Sequence, residues 1–195
     1  MGSCTDVVED RSDGEMIDSD DLARRIWERS YLEGEFELRS GAISNEYFDK
    51  YLFESDPALL RDVCEALSAH VPSDADLLAG LELGGVPVVA VLSQVTGLPA
   101  AFVRKRPKSY GTRRLAEGAD VEGRRLVVVE DIVTSGGQVL ESCSALRERG
   151  AEILRVLCVV DREEGGSQAL ATAGLQFRAL FTPADLARAA GQTRD

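Results

Sequence analysis

Two adjacent carboxylates, Glu130 and Asp131, stand at the end of an aliphatic run, and Ile132-Val133-Thr134-Ser135-Gly136-Gly137-Gln138 follows them. A turn of small, hydroxylated and glycine residues that opens a helix gathers backbone N–H groups around an anion, and the helix dipole favours the same charge. Carboxylates repel a phosphate, so the acid pair needs other partners. Ribose hydroxyls or a hydrated Mg²⁺ are the natural candidates. The stretch lacks the Gly-x-x-x-x-Gly-Lys-Ser/Thr of a P-loop and the Gly-x-Gly-x-x-Gly of a dinucleotide fold. It therefore reads as a cradle for a phosphorylated ribose. Adjacent strand residues point to opposite faces, so Glu130 and Asp131 are expected to have unequal roles.

A second group is cationic. Arg104, Lys105, Arg106 and Lys108 fall within five positions of an acidic chain whose net charge is −12. Only three lysines occur, at 50, 105 and 108, so this short loop holds two of them. A solvated surface loop is the plain alternative. The functional reading is a set of cations that stabilises charge developing on a departing diphosphate, on a loop able to close and exclude water. A third group is Asp161-Arg162, followed by Glu163-Glu164-Gly165-Gly166. A guanidinium there can fork onto a planar anion, or simply pair with Asp161. His70 is the sole histidine, which excludes a histidine-based metal site or triad. Cys4, Cys64, Cys143 and Cys158 have no zinc-like spacing, and the last three fall on apolar faces, as reduced buried thiols do.

The elements that position these groups follow from period and punctuation. Residues 1–17 are acidic without apolar period and are expected to form a flexible tail. Residues 18–195 are expected to form one domain, with a small N-terminal hood mainly at 18–53. Ser19 is expected to cap a helix to about Ser30, with Leu22, Ile26 and Trp27 on one face. Phe36 and Leu38 alternate with charges as a strand, Ser40-Gly41 turns it, and a second strand runs from Ile43 past a turn-like Ser44-Asn45 to Tyr47-Phe48-Asp49. Asp56-Pro57 starts a helix that Pro72 ends. Leu77–Leu81 reads as a buried strand running into the glycine turn Glu82-Leu83-Gly84-Gly85-Val86-Pro87 and a helix. Pro99–Val103 is a strand that delivers the basic loop, taken as loop to about Arg124. Strands at 125–129, 154–160 and 177–181 alternate with helices, and Gly150 caps one of them. This alternation predicts an α/β, doubly wound, mainly parallel sheet. Ligands bind such sheets at the carboxyl ends of the strands. The two glycine turns, the basic loop and the Asp161-Arg162 turn all fall there.

At 195 residues and 44% hydrophobic content the chain suits one globular core. Its negative charge argues against nucleic-acid or anionic-membrane partners. No run is long and apolar enough for a membrane span, and a cytoplasmic protein is expected.

Val127 to Val139 resembles the phosphoribosyl pyrophosphate signature of type I phosphoribosyltransferases. Phe36-Glu37-Leu38-Arg39-Ser40-Gly41 with Tyr47-Phe48-Asp49 is similar to the N-terminal segment of the orotate phosphoribosyltransferase family. Arg104-Lys105-x-x-Lys108-x-Tyr110-Gly111 resembles that family's catalytic loop, and Asp161-Arg162-x-Glu164-Gly165-Gly166 its base-recognition turn. The resemblance covers about residues 20–190. It implies transfer of a phosphoribosyl group to orotate, with Mg²⁺ as cofactor, held mainly through substrate and water. It implies that Glu130 and Asp131 hold the ribose hydroxyls and that Ile132, Val133, Thr134, Ser135, Gly136, Gly137 and Gln138 form the 5′-phosphate segment. Arg104, Lys105, Lys108 and Tyr110 would meet phosphoribosyl pyrophosphate, with the first three catalytic beside the acid pair. Thr134 and Arg162 would meet orotate. Tyr47 and Phe48 would stack near the base, a core role being the alternative for either, and Arg39 would reach orotate or pyrophosphate. A homodimer that shares its catalytic loops is implied as well. Tyr110 stands where the family often has a histidine, and Gly84 where some members have a lysine. A non-catalytic binder of phosphoribosyl pyrophosphate and a purine phosphoribosyltransferase are the alternatives.

Overall fold

The computed structural model describes residues 17–37, 41–106 and 114–192. Arg39, Lys108, Tyr110 and nearly all of the expected tail lie outside the described residues.

Helix α1 (Ser19–Ser30) leads into the antiparallel pair β1 (Tyr31–Glu37) and β2 (Ile43–Phe48). The cap of α1 is Asp18 rather than Ser19: its carboxylate accepts from Asp20 N at 3.0 Å. Ser44 and Asn45 lie within β2 rather than in a turn. A short helix α2 (Lys50–Glu54) follows, capped by Asp49, and was not anticipated. Helix α3 (Pro57–Ser68) starts as expected, with Pro57 in its first turn and Asp56 accepting from Ala58 N and Leu59 N. It ends one residue before Ala69, short of Pro72.

The main sheet has the order β5-β4-β3-β6-β7-β8. Its strands are β3 (Leu77–Leu81), β4 (Ala100–Val103), β5 (Ala116–Gly118), β6 (Arg125–Val133), β7 (Glu152–Asp161) and β8 (Phe177–Phe181). All neighbours pair in parallel except β4 and β5. Strand β5 corrects the expectation of loop through to residue 124: Val103 pairs with Ala116 and Ala101 with Gly118. Strand β6 is longer than expected. It continues through the acid pair to Val133, because β7 offers partners as far as Val133↔Asp161.

Helices cover both faces. Val127, Val129, Leu157 and Val159 face one core, built with α1, α3, helix α4 (Gly85–Thr96) and helix α7 (Pro183–Ala189). Leu126, Val128, Val156 and Cys158 face the other, closed by helix α5 (Gly137–Arg147) and helix α6 (Gly166–Thr172). All of these sheet residues are fully buried, and each such aliphatic contributes about 1.5–3 kcal/mol. Gly150 follows α5 at φ 82°, the left-handed conformation a glycine adopts without strain. Cys64, Cys143 and Cys158 are buried free thiols, and burial raises the pKa of each. Among the described residues no helix is long and apolar enough to cross a membrane.

Candidate functional site

The chain leaves β3 toward β4 on one side, while β6 pairs on the other, so the β3/β6 boundary is where the winding reverses. A crevice opens at such a point beyond the strand ends. Two features meet in it. From β3 comes the Glu82–Gly85 turn, whose Glu82–Leu83 peptide is cis. From β6 come Glu130 and Asp131, 8% and 1% exposed. The turn must be glycine to fit. A Cβ on Gly84 would lie 1.7 Å from Asp131 Oδ2, and one on Gly85 would lie 2.3 Å from the Val129 carbonyl oxygen. Neither gap admits a carbon atom. Gly84 therefore cannot take a side chain while Asp131 keeps its place.

The acid pair is unequal, as alternation along a strand requires. Glu130 Oε1 accepts from Asp131 N at 3.1 Å, and Asp131 Oδ1 accepts from Ile132 N at 2.6 Å. Asp131 Oδ2 makes an ion pair with Lys50 Nζ at 2.5 Å. Glu54 completes the group. It is 7% exposed, and its two carboxyl oxygens meet no hydrogen-bond partner. Burial, and then the neighbouring Asp131, push the Glu54 and Glu130 carboxyls far above the ordinary carboxylate range. Burial also opposes ionisation of Asp131, but Glu130, Glu54 and Lys50 around it outweigh that and hold it low. Lys50 stays protonated because Asp131 outweighs its own burial. Of the three carboxyls, Asp131 beside Lys50 is therefore the easiest to ionise and Glu54 and Glu130 the hardest.

After Val133 the chain forms the turn to α5. Thr134, Ser135 and Gly137 are exposed, and Gly136 is buried at φ 76°. No side chain caps α5, so its first amides are left to solvent or to a ligand. Gln138 is half-buried and donates to Ser142 Oγ at 3.2 Å. Ile132 is half-buried and Val133 buried. The turn after β7 presses against this one. Arg162 N donates to the Val133 carbonyl at 2.8 Å, and a Cβ on Gly166 would come within 2.4 Å of the Thr134 carbonyl oxygen.

Arg162 does not pair with Asp161. Its guanidinium meets Glu164 at 3.6 Å in an exposed contact, while Asp161 accepts from Glu163 N at 2.9 Å. Arg162 lines a cavity of about 870 Å³ together with Tyr47, Phe48, Tyr31, Glu46 and Leu186. Tyr47 is exposed, and its ring meets that of Phe36 in a tilted contact, with 5.5 Å between centroids and 31° between ring planes. Phe48 is half-buried and packs on the core, so it combines a cavity wall with a core role.

The basic loop leaves β4 at the same edge. Arg104 is half-buried and its Nε lies 3.4 Å from Glu117 Oε1 on β5. Lys105 and Arg106 are exposed. Lys105 N donates to Glu82 Oε1 at 3.0 Å, which ties the basic loop to the glycine turn. Glu54, Lys50 and Glu82 were not singled out from the sequence. The Lys50-x-x-x-Glu54 spacing was available, since residues four apart share a helix face.

Among the described residues no group of three or more His, Cys, Asp or Glu side chains is arranged to hold a metal ion.

Residues 53–173 match the model of the phosphoribosyl transferase domain. The chain is 51% identical to the orotate phosphoribosyltransferase of a Nocardioides species, over 82% of this chain and 90% of that one. It is 43% identical to that of Halobacterium salinarum, over 88% and 98%. The structure of Mycobacterium tuberculosis H37Rv orotate phosphoribosyltransferase in complex with phosphoribosyl pyrophosphate superposes with a TM-score of 0.74 at 29% identity, covering 86% of this chain and 98% of that one.

Proposed function

We propose, for a chain that belongs to the phosphoribosyltransferase family, that it is an orotate phosphoribosyltransferase. It takes the phosphoribosyl group of phosphoribosyl pyrophosphate to orotate, giving orotidine 5′-monophosphate and pyrophosphate for UMP synthesis. The observation that carries this reading is the convergence at one sheet edge. The acid pair and the uncapped start of α5 lie at the carboxyl end of β6, and Arg162, which lines the cavity with Tyr47 and Phe48, lies at that of the adjacent β7, its N–H bonded to the Val133 carbonyl.

Each part has a task. Ionised Asp131 accepts hydrogen bonds from ribose hydroxyls, and neutral Glu130 both donates and accepts beside it. The amides and hydroxyls from Thr134 to Gln138 hold the 5′-phosphate. Arg162 forks onto the orotate carboxylate, Tyr47 and Phe48 cover the ring, and Thr134 and Arg39 add polar contacts. Orotate N1 bonds to the anomeric carbon as the C–O bond breaks; the N1 proton passes to the departing diphosphate or to water, and the C–O bonding pair leaves with pyrophosphate. Arg104, Lys105, Lys108 and Tyr110 take up that charge, with the backbone of the Glu82–Gly85 turn. Mg²⁺, when bound with the diphosphate, supplies further charge neutralisation. No covalent enzyme intermediate is needed.

The family resemblance also supports a cytoplasmic homodimer in which the basic loop of one subunit serves the site of the other. Orotate loss followed by ultraviolet absorbance, with phosphoribosyl pyrophosphate and Mg²⁺, tests the reading beside adenine, hypoxanthine and uracil. Turnover is expected with orotate alone. Binding of phosphoribosyl pyrophosphate with no turnover of any base would replace the enzyme by a non-catalytic regulator. Lys105→Ala is expected to lower kcat by about 10²-fold, the scale of one lost electrostatic stabiliser.

A further inference from the structure

We infer that Lys50 is a positioning residue for the reaction: it sets the Asp131 carboxylate for the ribose of phosphoribosyl pyrophosphate, with Glu54 as the closed floor beneath it. The inference rests on the function proposed above and adds residues of α2 to that site.

The geometry is specific. Asp131 Oδ1 is already fixed by Ile132 N, so Oδ2 decides where the carboxylate turns. On one side of Oδ2 the backbone of Gly84 leaves just enough room. On the other stands Lys50 Nζ, the cation paired with Asp131 among the described residues. Lys50 is itself anchored. Asp49 caps α2 through Tyr51 N at 3.1 Å, and Asp49 N donates to the Ser30 carbonyl at 2.8 Å, which pins the start of α2 to the end of α1. One turn later Glu54 presents its carboxyl on the same side of the helix. It is more than nine-tenths buried, and its carboxyl neighbours that of Asp131.

Three acids packed together at a site for a polyanion need a compensating charge. Without Lys50 the group lowers its energy by protonating Asp131 as well, and the ionised acceptor for the ribose is lost. A mere packing role for the lysine stem would be served equally well by an isosteric apolar chain. The ammonium is what the site uses.

The test measures phosphoribosyl pyrophosphate binding by calorimetry with Mg²⁺ and, separately, both KM values and kcat. It compares the parent with Lys50→Met and Lys50→Arg, alongside melting curves. Lys50→Met is expected to weaken phosphoribosyl pyrophosphate binding and raise its KM about tenfold or more, while the orotate KM moves less than about threefold. Lys50→Arg is expected to recover most of the loss, since it restores the charge. Binding within twofold of the parent in Lys50→Met would overturn the inference. So would equal losses for both substrates, in both variants, that follow a lowered melting midpoint. A parent protein that neither binds phosphoribosyl pyrophosphate nor consumes orotate would instead remove the proposed function, and this inference with it.

Discussion

At the N-terminal end of β6, Arg125 is gripped by Asp76 and Asp74. Asp76 accepts from Arg125 N at 2.9 Å, from Nε at 3.2 Å and from Nη2 at 3.1 Å, and Asp74 meets Nη1 at 3.2 Å. The two charges support each other: the guanidinium hydrogen bonds hold the Asp76 pKa low, and Asp76 holds the Arg125 pKa high. At the other end of the same strand, three buried carboxyls share one lysine, and the two Glu54 oxygens meet no hydrogen-bond partner. One end is satisfied and tolerates water. The other is unsatisfied and shielded from it. Buried polar groups without partners are costly and persist where something else needs them. The contrast separates the end of the strand that registers the sheet from the end that awaits a ligand.

The largest expected break is at the ligand end. Asp131→Asn keeps the shape and removes the ionised acceptor, so kcat/KM for phosphoribosyl pyrophosphate should fall about 10–10²-fold, the scale of one or two charge-assisted hydrogen bonds. Steady-state kinetics check it, and an unchanged kcat/KM would show that the acid pair is not the ribose contact. Gly84→Ala should come next, with a loss of about tenfold. Its Cβ must displace Asp131 Oδ2 from 1.7 Å, although the backbone at φ −67° accepts alanine. An alanine variant with parental kinetics would mean that Asp131 can turn without penalty.

The smallest effect is a pH dependence of opposite sign at the two ends, read from melting midpoints across a pH series. Glu54 and Glu130 have folded pKa values raised from the ordinary 4.5 to about 9. Their contribution to stability is therefore full below about pH 4.5 and is lost as pH rises toward 9. Asp76 has a folded pKa below its ordinary 3.8, so its contribution is full above that value and is lost as pH falls through the folded one. Glu54→Gln should flatten the alkaline decline and leave the acid limb alone. Asp76→Asn should do the reverse and leave kcat/KM within about twofold. If both variants moved the same limb, the two ends would not differ as described.

Much of this was legible in the residues. Short aliphatic runs alternating with helical spacing gave the doubly wound sheet, and Asp56-Pro57 and the two glycine turns marked helix starts with little ambiguity. The Glu130–Gln138 and Asp161–Arg162 stretches carried their chemistry in their types. Three things were hidden, each for a physical reason. Strand β5 is too short and polar to show a period, and only its pairing with β4 makes it a strand. Strand β6 runs through Glu130 and Asp131 because β7 continues beside it, which no local propensity records. Lys50 and Glu54 stand on a helix of five residues, too short to show a period, and burial of a charge is decided by what packs over it. The Asp161–Arg162 pair, the alternative to an anion contact for Arg162, does not form; the guanidinium meets Glu164 instead, a choice that turn geometry makes.

The contact between the turns after β6 and β7 has one more consequence. Arg162 N on the Val133 carbonyl and Gly166 against Thr134 leave no slack between them. Adjacent strands lie about 4.8 Å apart, so that spacing is passed on to whatever the two turns hold. The sheet then acts as a caliper. It fixes how far a base may stand from the phosphate end of its sugar, and a ligand of the wrong span meets a rigid gauge instead of a yielding loop.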